Sequence, residues 1–167
     1  SSAGVGQGAT FVVSLPMAIE EAGAVRVGTT PFPAVRVPEG ALAGVQLLVV
    51  DDESDARLLI EDILRNAGAR VISAASAREA MLKFAQEQPD LLLSDIGMPG
   101  ENGYDLVKQV RSLPIENGGG VPAIALTAFA RPEDRSRALA AGFQLHLAKP
   151  VEQGELLSAI TSLLAKA

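Results

Sequence analysis

The chain has no cysteine, and His146 is the only histidine among its 167 residues. Without thiols it can form no disulfide, thiolate metal site or cysteine nucleophile, which fits a cytosolic protein. One histidine excludes any metal site or catalytic pair that needs two. The sequence also lacks an apolar run of about 18 residues and a basic segment ahead of an apolar one, so we expect neither a membrane span nor a signal peptide.

Basic residues are outnumbered, because 14 Lys and Arg stand against 20 Asp and Glu, which gives a formal net charge of −6. An acidic chain repels phosphate backbones, so nucleic-acid binding is disfavoured. Hydrophobic residues make up 48 % of the sequence, which is enough to build a sizeable core and argues against global disorder. The length suits about one ordinary domain with an extension.

Short apolar runs alternate with helical patterns from about residue 45 onward. The runs show little in/out alternation, as in strands buried on both faces of a parallel sheet. The predicted strands are 45–50, 70–73, 91–93, 121–126 and 143–147. Apolar residues recur at helical spacing in the segments between and after them. Five such β/α units predict an α/β fold with right-handed crossovers and helices on both faces of the sheet.

Several residues mark where these helices begin and end. Ser76 and Glu79 have the spacing of a capping box. Pro132 suits a first helical turn. Gly68 and Gly142 suit the positions just past a helix end.

The first 44 residues have a different character. Glycine and proline are dense there, and no helical period is sustained. Residues 10–15 are a plausible strand, and residues 17–44 are predicted to form an irregular linker.

Five polar side chains fall at the carboxyl ends of predicted strands. Asp51 and Asp52 follow the first strand, Asp95 the third, Thr127 the fourth and Lys149 the fifth. In open parallel sheets ligands bind outside the carboxyl ends of the strands, where the strand order reverses. With the order 2-1-3-4-5, all five side chains should converge on one pocket.

Three carboxylates in one pocket repel one another, and a divalent cation relieves that repulsion. Hard oxygen ligands that leave room for several waters suit Mg²⁺. We expect Asp52 and Asp95 to ligate the ion directly, Asp51 to act through water, and the Gly97 carbonyl to supply a further oxygen.

A carboxylate can attack phosphorus and form an aspartyl phosphate. Such a transfer needs alignment and charge stabilisation more than acid–base catalysis. The Lys149 ammonium can neutralise phosphoryl oxygens. The Thr127 hydroxyl can hydrogen-bond one of them and pull its loop inward.

These residues resemble the receiver domain of two-component response regulators. The matching segments are VVDDE at 49–53, SDIGMPG at 94–100, LTA at 126–128 and AKP at 148–150. The resemblance covers about residues 45–167. It implies a flavodoxin-like (βα)5 fold, which is a doubly wound parallel sheet in the order 2-1-3-4-5. It also implies a role in cytoplasmic His-Asp signal transduction.

The resemblance also implies a role for each site residue. Asp51 and Asp52 are the acidic pair, Asp95 the phospho-acceptor, Thr127 the switch hydroxyl and Lys149 the phosphate-binding lysine. The peptide bond after Lys149 is expected to be cis. The donor would be a phosphohistidine on a kinase or a histidine phosphotransfer domain, with Mg²⁺ as cofactor. The receiver would catalyse its own phosphorylation and lose the phosphoryl group slowly, so whether it counts as an enzyme stays open.

Three positions near the site bear on switching and phosphoryl lifetime. Receivers usually carry Tyr or Phe three residues before the lysine, but here that residue is His146, which could swing as a switch or be a partly exposed strand residue. Gly97, two residues after Asp95, offers no side chain to orient water. Phe129, two after Thr127, could exclude water. These two residues predict a long-lived phosphoryl group.

The N-terminal sequence GQGATFVVSLP at 6–16 resembles the last strands of a histidine-kinase ATP-binding domain. This resemblance implies a hybrid histidine kinase as the parent protein. The predicted organisation is a kinase tail at 1–16, a linker at 17–44 and the receiver at 45–167. The tail alone should not bind ATP, and the parent kinase core is a possible partner. Contact with nucleic acid or membrane is not expected.

Two other functions remain open from the sequence. A pseudo-receiver acting only as a docking module need not bind Mg²⁺. A small metal-dependent phosphohydrolase would need a base to activate water, and none is evident. Singly, the acidic pair could be helix N-terminal acids, Thr127 a strand-end residue and Lys149 a surface lysine. Three arginines are predicted to form a solvated helix face rather than a docking patch: Arg131, Arg135 and Arg137.

Overall fold

A computed structural model describes residues 38, 40–128 and 131–167. Its centre is one sheet of five parallel strands in the order β2-β1-β3-β4-β5, which confirms the predicted flavodoxin-like topology. The strands are β1 Gln46–Val50, β2 Arg70–Ala74, β3 Leu91–Asp95, β4 Ala123–Thr127 and β5 Leu145–Ala148. Because β1 and β3 are neighbours, the chain reverses its direction across the sheet between them, and the carboxyl ends of both strands border a crevice.

A helix follows every strand, and a short 3-10 helix at Ile115–Asn117 precedes β4. The helices are α1 Ser54–Asn66, α2 Ala77–Glu87, α3 Gly103–Arg111, α4 Pro132–Ala141 and α5 Gln153–Leu164. No helix within 38, 40–128 and 131–167 is long and apolar enough to cross a membrane.

The sheet separates two hydrophobic cores. Alternate β1 residues face opposite sides, so Leu47 and Val49 join one core while Leu48 and Val50 join the other. The first core contains side chains of α1 and α5. The second contains side chains of α2, α3 and α4. Burial on both faces explains why the central strands have nearly continuous apolar sequences.

The predicted helix ends are mostly confirmed. Helix α1 stops just before Gly68, whose φ of +92° suits glycine, and Pro132 opens α4. The capping box at Ser76 is only half formed, since Ser76 accepts from the Glu79 amide at 3.2 Å. The Glu79 carboxylate accepts instead from the amide of Ala75 at 2.9 Å.

Two strands begin two residues later than the apolar runs predict. The predicted start of β5 at Phe143 is wrong because the Phe143 amide donates to the Ala138 carbonyl and so completes the end of α4. The predicted start of β4 at Val121 is wrong because its amide closes a turn onto Gly118. Apolar character alone does not separate a strand from the buried turn that leads into it.

The last part of the predicted linker packs against the α/β domain. Residues 40–44 form a turn whose Leu42 side chain is fully buried in the core that contains α1 and α5. The Leu42 amide donates to the Ala67 carbonyl at 3.0 Å. The folded unit therefore includes this turn, ahead of the boundary predicted at residue 45. The predicted strand at 10–15 and the kinase tail at 1–16 lie outside the described residues.

Candidate phosphoryl-transfer site

The sheet brings the predicted site residues to one edge. Asp51 directly follows β1, Asp95 and Thr127 are the last residues of β3 and β4, and Lys149 directly follows β5. The Lys149 amide donates to the Thr127 carbonyl at 2.7 Å, which extends the pairing of β4 and β5 by one bond. The bond between Lys149 and Pro150 is cis, as predicted.

The three aspartates form one acidic cluster. Carboxylate oxygens of Asp51, Asp52 and Asp95 all lie within 4.8 Å of one another. Asp51 is completely buried and Asp95 is 7 % exposed, whereas Asp52 is exposed. The cluster therefore has a closed floor and an open side at Asp52 through which an ion or a substrate can enter.

Within residues 38, 40–128 and 131–167, one ammonium group forms ion pairs with this cluster. Lys149 Nζ lies 2.6 Å from Asp51 Oδ2 and 3.5 Å from Asp95 Oδ1. The other oxygen of Asp51 accepts the Glu53 amide at 2.9 Å. Both Asp51 oxygens are thus engaged, while Asp95 is held more loosely and faces the pocket.

The electrostatics of the pocket follow from this packing. Burial raises the pKa of Asp95, and the nearby Asp51 charge raises it further, although Lys149 and the Gly97 amide act in the opposite direction. Burial alone would lower the pKa of Lys149, but its hydrogen bond to Asp51 and the charge of Asp95 raise it overall. Lys149 therefore stays charged at neutral pH, and Asp95 is under-compensated.

The residues present fit a hard divalent cation. Three carboxylates share one ammonium, which leaves an excess of negative charge. The side-chain atoms available to bind an ion are all carboxylate oxygens. Gly97 borders the cluster, because a Cβ built there would lie 3.7 Å from Asp95 Oδ2, at an ordinary van der Waals distance. Asp52 and Asp95 could hold the ion directly, with Asp51 behind them.

Comparison with known families fits this arrangement of acids and lysine. The profile of the response regulator receiver domain matches residues 47–161. The chain belongs to this family. The match begins in β1 and ends in α5, so it includes every strand tip that contributes to the pocket.

Relatives of this receiver include a hybrid histidine kinase and a sensory/regulatory protein. It is 34 % identical over 140 residues to hybrid signal transduction histidine kinase D of Dictyostelium discoideum, covering 80 % of this chain and 9 % of that protein. In an alignment 182 residues long, it is 30 % identical to the sensory/regulatory protein RpfC of Xanthomonas campestris, covering 93 % of this chain and 24 % of that protein. The chain thus spans only a small part of these two relatives.

Solved structures show the same fold. A putative response regulator from Chloroflexus aurantiacus superposes with a TM-score of 0.69 at 36 % identity, covering 72 % of this chain and 98 % of that one. The chemotaxis protein CheY4 of Vibrio cholerae gives a TM-score of 0.66 at 31 % identity, covering 71 % and 97 %.

Two residues that the sequence predicts to act in switching lie on β4 and β5. Thr127 is 6 % exposed at the pocket edge, where its Cα pairs with Ala148. His146 lies in the middle of β5, paired with Ala125 and half-buried. This placement agrees with a partly exposed strand residue, and a switching role for His146 stays a prediction. Phe129 lies outside the described residues.

Arg57 contacts the acidic cluster but was not among the residues predicted for the site. Arg57 Nη1 donates to the main-chain carbonyl of Asp51 at 2.6 Å. Its position one turn into α1 was the available signal, since the helix starts beside the acidic pair and turns this side chain back toward it. The predicted solvated arginines are exposed, and Arg137 also lies over the Tyr104 ring at 4.6 Å from its centroid.

Proposed function

We propose that this receiver accepts a phosphoryl group on Asp95 from a phosphohistidine donor, with Mg²⁺ as cofactor. The observation that carries the proposal is the position of Lys149, whose ammonium lies within 3.5 Å of Asp95 and is anchored on Asp51. A cation held beside a poorly compensated carboxylate is what a phosphoryl acceptor needs, because charge must be neutralised where the phosphoryl oxygens arrive.

Asp95 is the nucleophile in this proposal. One of its carboxylate oxygens attacks phosphorus in line, the new O–P bond forms as the N–P bond of phosphohistidine breaks, and the imidazole leaves with the bonding pair and takes a proton. Lys149 turns from the aspartates toward the phosphoryl oxygens. Mg²⁺, when bound by Asp52, Asp95 and the Gly97 carbonyl, with Asp51 through water, supplies further charge neutralisation.

Thr127 links the chemistry to shape in this proposal. Thr127 is the last residue of β4, at the pocket edge, and the segment that leads to α4 follows it directly. A hydrogen bond from Thr127 to the new phosphoryl group would draw that loop toward Asp95 and shift a two-state equilibrium of the loops after β4 and β5. The output surface would then be the face formed by α4, β5 and α5.

A hybrid histidine kinase is the proposed parent protein, with a kinase tail at 1–16 and a linker over most of 17–44. The match to hybrid signal transduction histidine kinase D supports this parent, and the matches to that protein and to RpfC cover 80 % and 93 % of the chain. Residues 45–167 alone make up only about three-quarters of the sequence. The proposed setting is a cytoplasmic phosphorelay, with the parent kinase core or a histidine phosphotransfer domain as donor.

Exposed leucines support donor docking beside the pocket. Leu58 and Leu59 are 53 % and 59 % exposed on α1, which begins two residues after Asp52. Apolar side chains exposed together commonly mark an interaction site. A donor that covered them would place its phosphohistidine near the open side of the acidic cluster.

Intact mass spectrometry tests the proposal. The protein is incubated with Mg²⁺ and a small-molecule phosphodonor, and the wild type should gain one phosphoryl group. Asp95→Asn should gain none. Asp90→Asn is the matched control, because Asp90 precedes the same strand at its other end and accepts a hydrogen bond from the Gln46 amide there.

Three results would count against the proposal. These are no adduct on the wild type, an equal adduct on Asp95→Asn, or an adduct that forms equally well in EDTA. A docking module would give the first result and would bind no Mg²⁺. A phosphohydrolase would consume the donor rapidly without a stable adduct.

A further inference from the structure

The carbonyl of Asp51 has an unusual partner for a strand end. It accepts the Arg57 guanidinium at 2.6 Å, and the Arg57 side chain is only 19 % exposed. Asp51 itself is completely buried, so its carbonyl would otherwise be a costly unpaired acceptor. A charged donor makes the stronger kind of hydrogen bond at this position.

With Arg57 in place, each polar atom of Asp51 has a partner. Its amide donates to the Ala74 carbonyl at 3.2 Å. Its carboxylate oxygens accept from the Glu53 amide and from Lys149. Asp51 is thus fixed from four directions, and Arg57 supplies the one contact that comes from α1.

Arg57 is itself held from behind by a buried acid. Glu61 Oε1 lies 3.9 Å from Arg57 Nε, and Glu61 Oε2 lies 2.7 Å from Arg65 Nη2. The Glu61 side chain is 6 % exposed, whereas that of Arg65 is 50 % exposed. A buried carboxylate between two guanidiniums restricts where the Arg57 group can point.

We propose that Arg57 is a positioning residue for the metal-binding acids. The Asp51 carbonyl and the Asp52 amide belong to one planar peptide unit, so holding the oxygen fixes the plane from which Asp52 continues. Arg57 thereby sets the direction of the exposed Asp52 carboxylate, which the proposed function makes a direct Mg²⁺ ligand. This inference rests on that proposed function.

The direction in which Mg²⁺ affinity changes when Arg57 is removed distinguishes a positioning role from a purely electrostatic one. A positive group near a cation site opposes binding of the cation. If Arg57 acted only through its charge, removing it should therefore tighten Mg²⁺ binding. Removing a residue that orients the ligands should weaken it, by about tenfold or more on the scale known for groups that support metal ligands.

Calorimetric titration with Mg²⁺ is the test. Arg57→Ala should bind Mg²⁺ about tenfold more weakly than wild type, and Arg57→Lys should fall in between because it restores one donor without the planar fork. Arg65→Ala is the matched control, since it removes the same charge and the other partner of Glu61 but does not touch Asp51. Its Mg²⁺ affinity should stay within about twofold.

A second measurement needs no metal. In EDTA, the Glu53 amide should exchange faster with solvent in Arg57→Ala than in wild type, because Asp51 is no longer held in place to accept it. Tighter or unchanged Mg²⁺ binding in Arg57→Ala, with the fold retained, would overturn the inference. If that variant fails to fold, wild-type affinity in Arg57→Lys would overturn it equally.

Failure of the proposed function would look different. A wild-type chain that binds no Mg²⁺ defeats the metal assignment, while the Glu53 exchange experiment still decides whether Arg57 holds the acid pair. Unchanged Glu53 exchange in both Arg57 variants would then reject the positioning role.

Discussion

Replacing Lys149 with methionine should destabilise the metal-free protein by an amount that Mg²⁺ partly restores. The change removes the cation that lies 2.6 Å from Asp51 Oδ2 and 3.5 Å from Asp95 Oδ1. Methionine keeps an unbranched stem as far as Cε and lacks only the ammonium, so packing along the stem is largely preserved. What is lost is the only positive group that touches either carboxylate among the ion pairs of the described residues.

The magnitude follows from burial. Removing one partner of a buried ion pair costs about 3–5 kcal/mol because the other charge is left without compensation. Asp51 is completely buried, but the Lys149 side chain is 18 % exposed, which favours the lower end of that range. We therefore expect the free energy of unfolding in EDTA to fall by about 3 kcal/mol.

Mg²⁺ should reduce this deficit. A ligand that binds only the folded state stabilises it by about 2.7 kcal/mol at one hundred times its dissociation constant. The variant should bind the ion more tightly than wild type, since the competing ammonium is gone. Each tenfold gain in affinity narrows the difference between the two proteins by about 1.4 kcal/mol at saturating ion.

Urea unfolding followed by far-ultraviolet circular dichroism suits a chain that has no tryptophan. It is run in EDTA and in saturating Mg²⁺, with Lys108→Met as the control because Lys108 is an exposed lysine on α3. The control should change the free energy of unfolding by less than about 0.5 kcal/mol. A Lys149→Met deficit below about 1 kcal/mol in EDTA, or one that Mg²⁺ leaves unchanged, would refute the assignment of Lys149 to the acidic cluster.

Four further predictions concern single residues. The pKa of Asp95 is raised in the folded protein, so its charge destabilises the metal-free fold at pH values above that raised pKa and has no such effect below the ordinary aspartate value. Asp95→Asn should therefore melt at a higher temperature than wild type in EDTA at pH 7, and the difference should shrink as the pH falls toward 4; an Asp95→Asn protein that melts lower at pH 7 contradicts the sign. Leu42→Ala should lower the free energy of unfolding by about 2–5 kcal/mol, because it empties a fully buried position, whereas a loss under 1 kcal/mol would mean that the turn is not part of the core. Thr127→Ala should still gain a phosphoryl group by intact mass but show smaller changes in backbone amide chemical shifts in α4 and β5; full wild-type shifts would remove Thr127 from the switch. Phe129→Ala should shorten the lifetime of the phosphorylated protein, and an unchanged decay rate would reject the idea that Phe129 excludes water.

Much of the fold was predictable because this sheet leaves a strong sequence signal. The three central strands are buried on both faces, so each contains an unbroken apolar run that leads into a polar residue. The helix ends at Gly68, Pro132 and Gly142 depend on local backbone preferences, so the sequence predicted them too. The convergence of the pocket residues followed from strand order alone, since the carboxyl ends of parallel strands share one edge.

The missed features depend on packing between distant segments. Leu42 lies in a stretch rich in glycine and proline, and its burial follows from docking against the turn after α1, which no local pattern encodes. Arg57 resembles any helical arginine until the angle of α1 brings it to Asp51. Only one hydrogen bond of the predicted Ser76 capping box forms, because the Glu79 carboxylate accepts from the Ala75 amide instead of the Ser76 amide.

The central claim is that Lys149 and Thr127 bind the oxygens of a phosphoryl group on Asp95. A crystal structure of the protein with Mg²⁺ and a tetrahedral phosphoryl mimic tests it most directly. We predict the mimic on an Asp95 carboxylate oxygen, with Lys149 Nζ and Thr127 Oγ1 both within about 3.2 Å of its oxygens. A mimic on Asp51 or Asp52, or one that leaves Lys149 paired with Asp51 and Thr127 out of reach, would contradict the account.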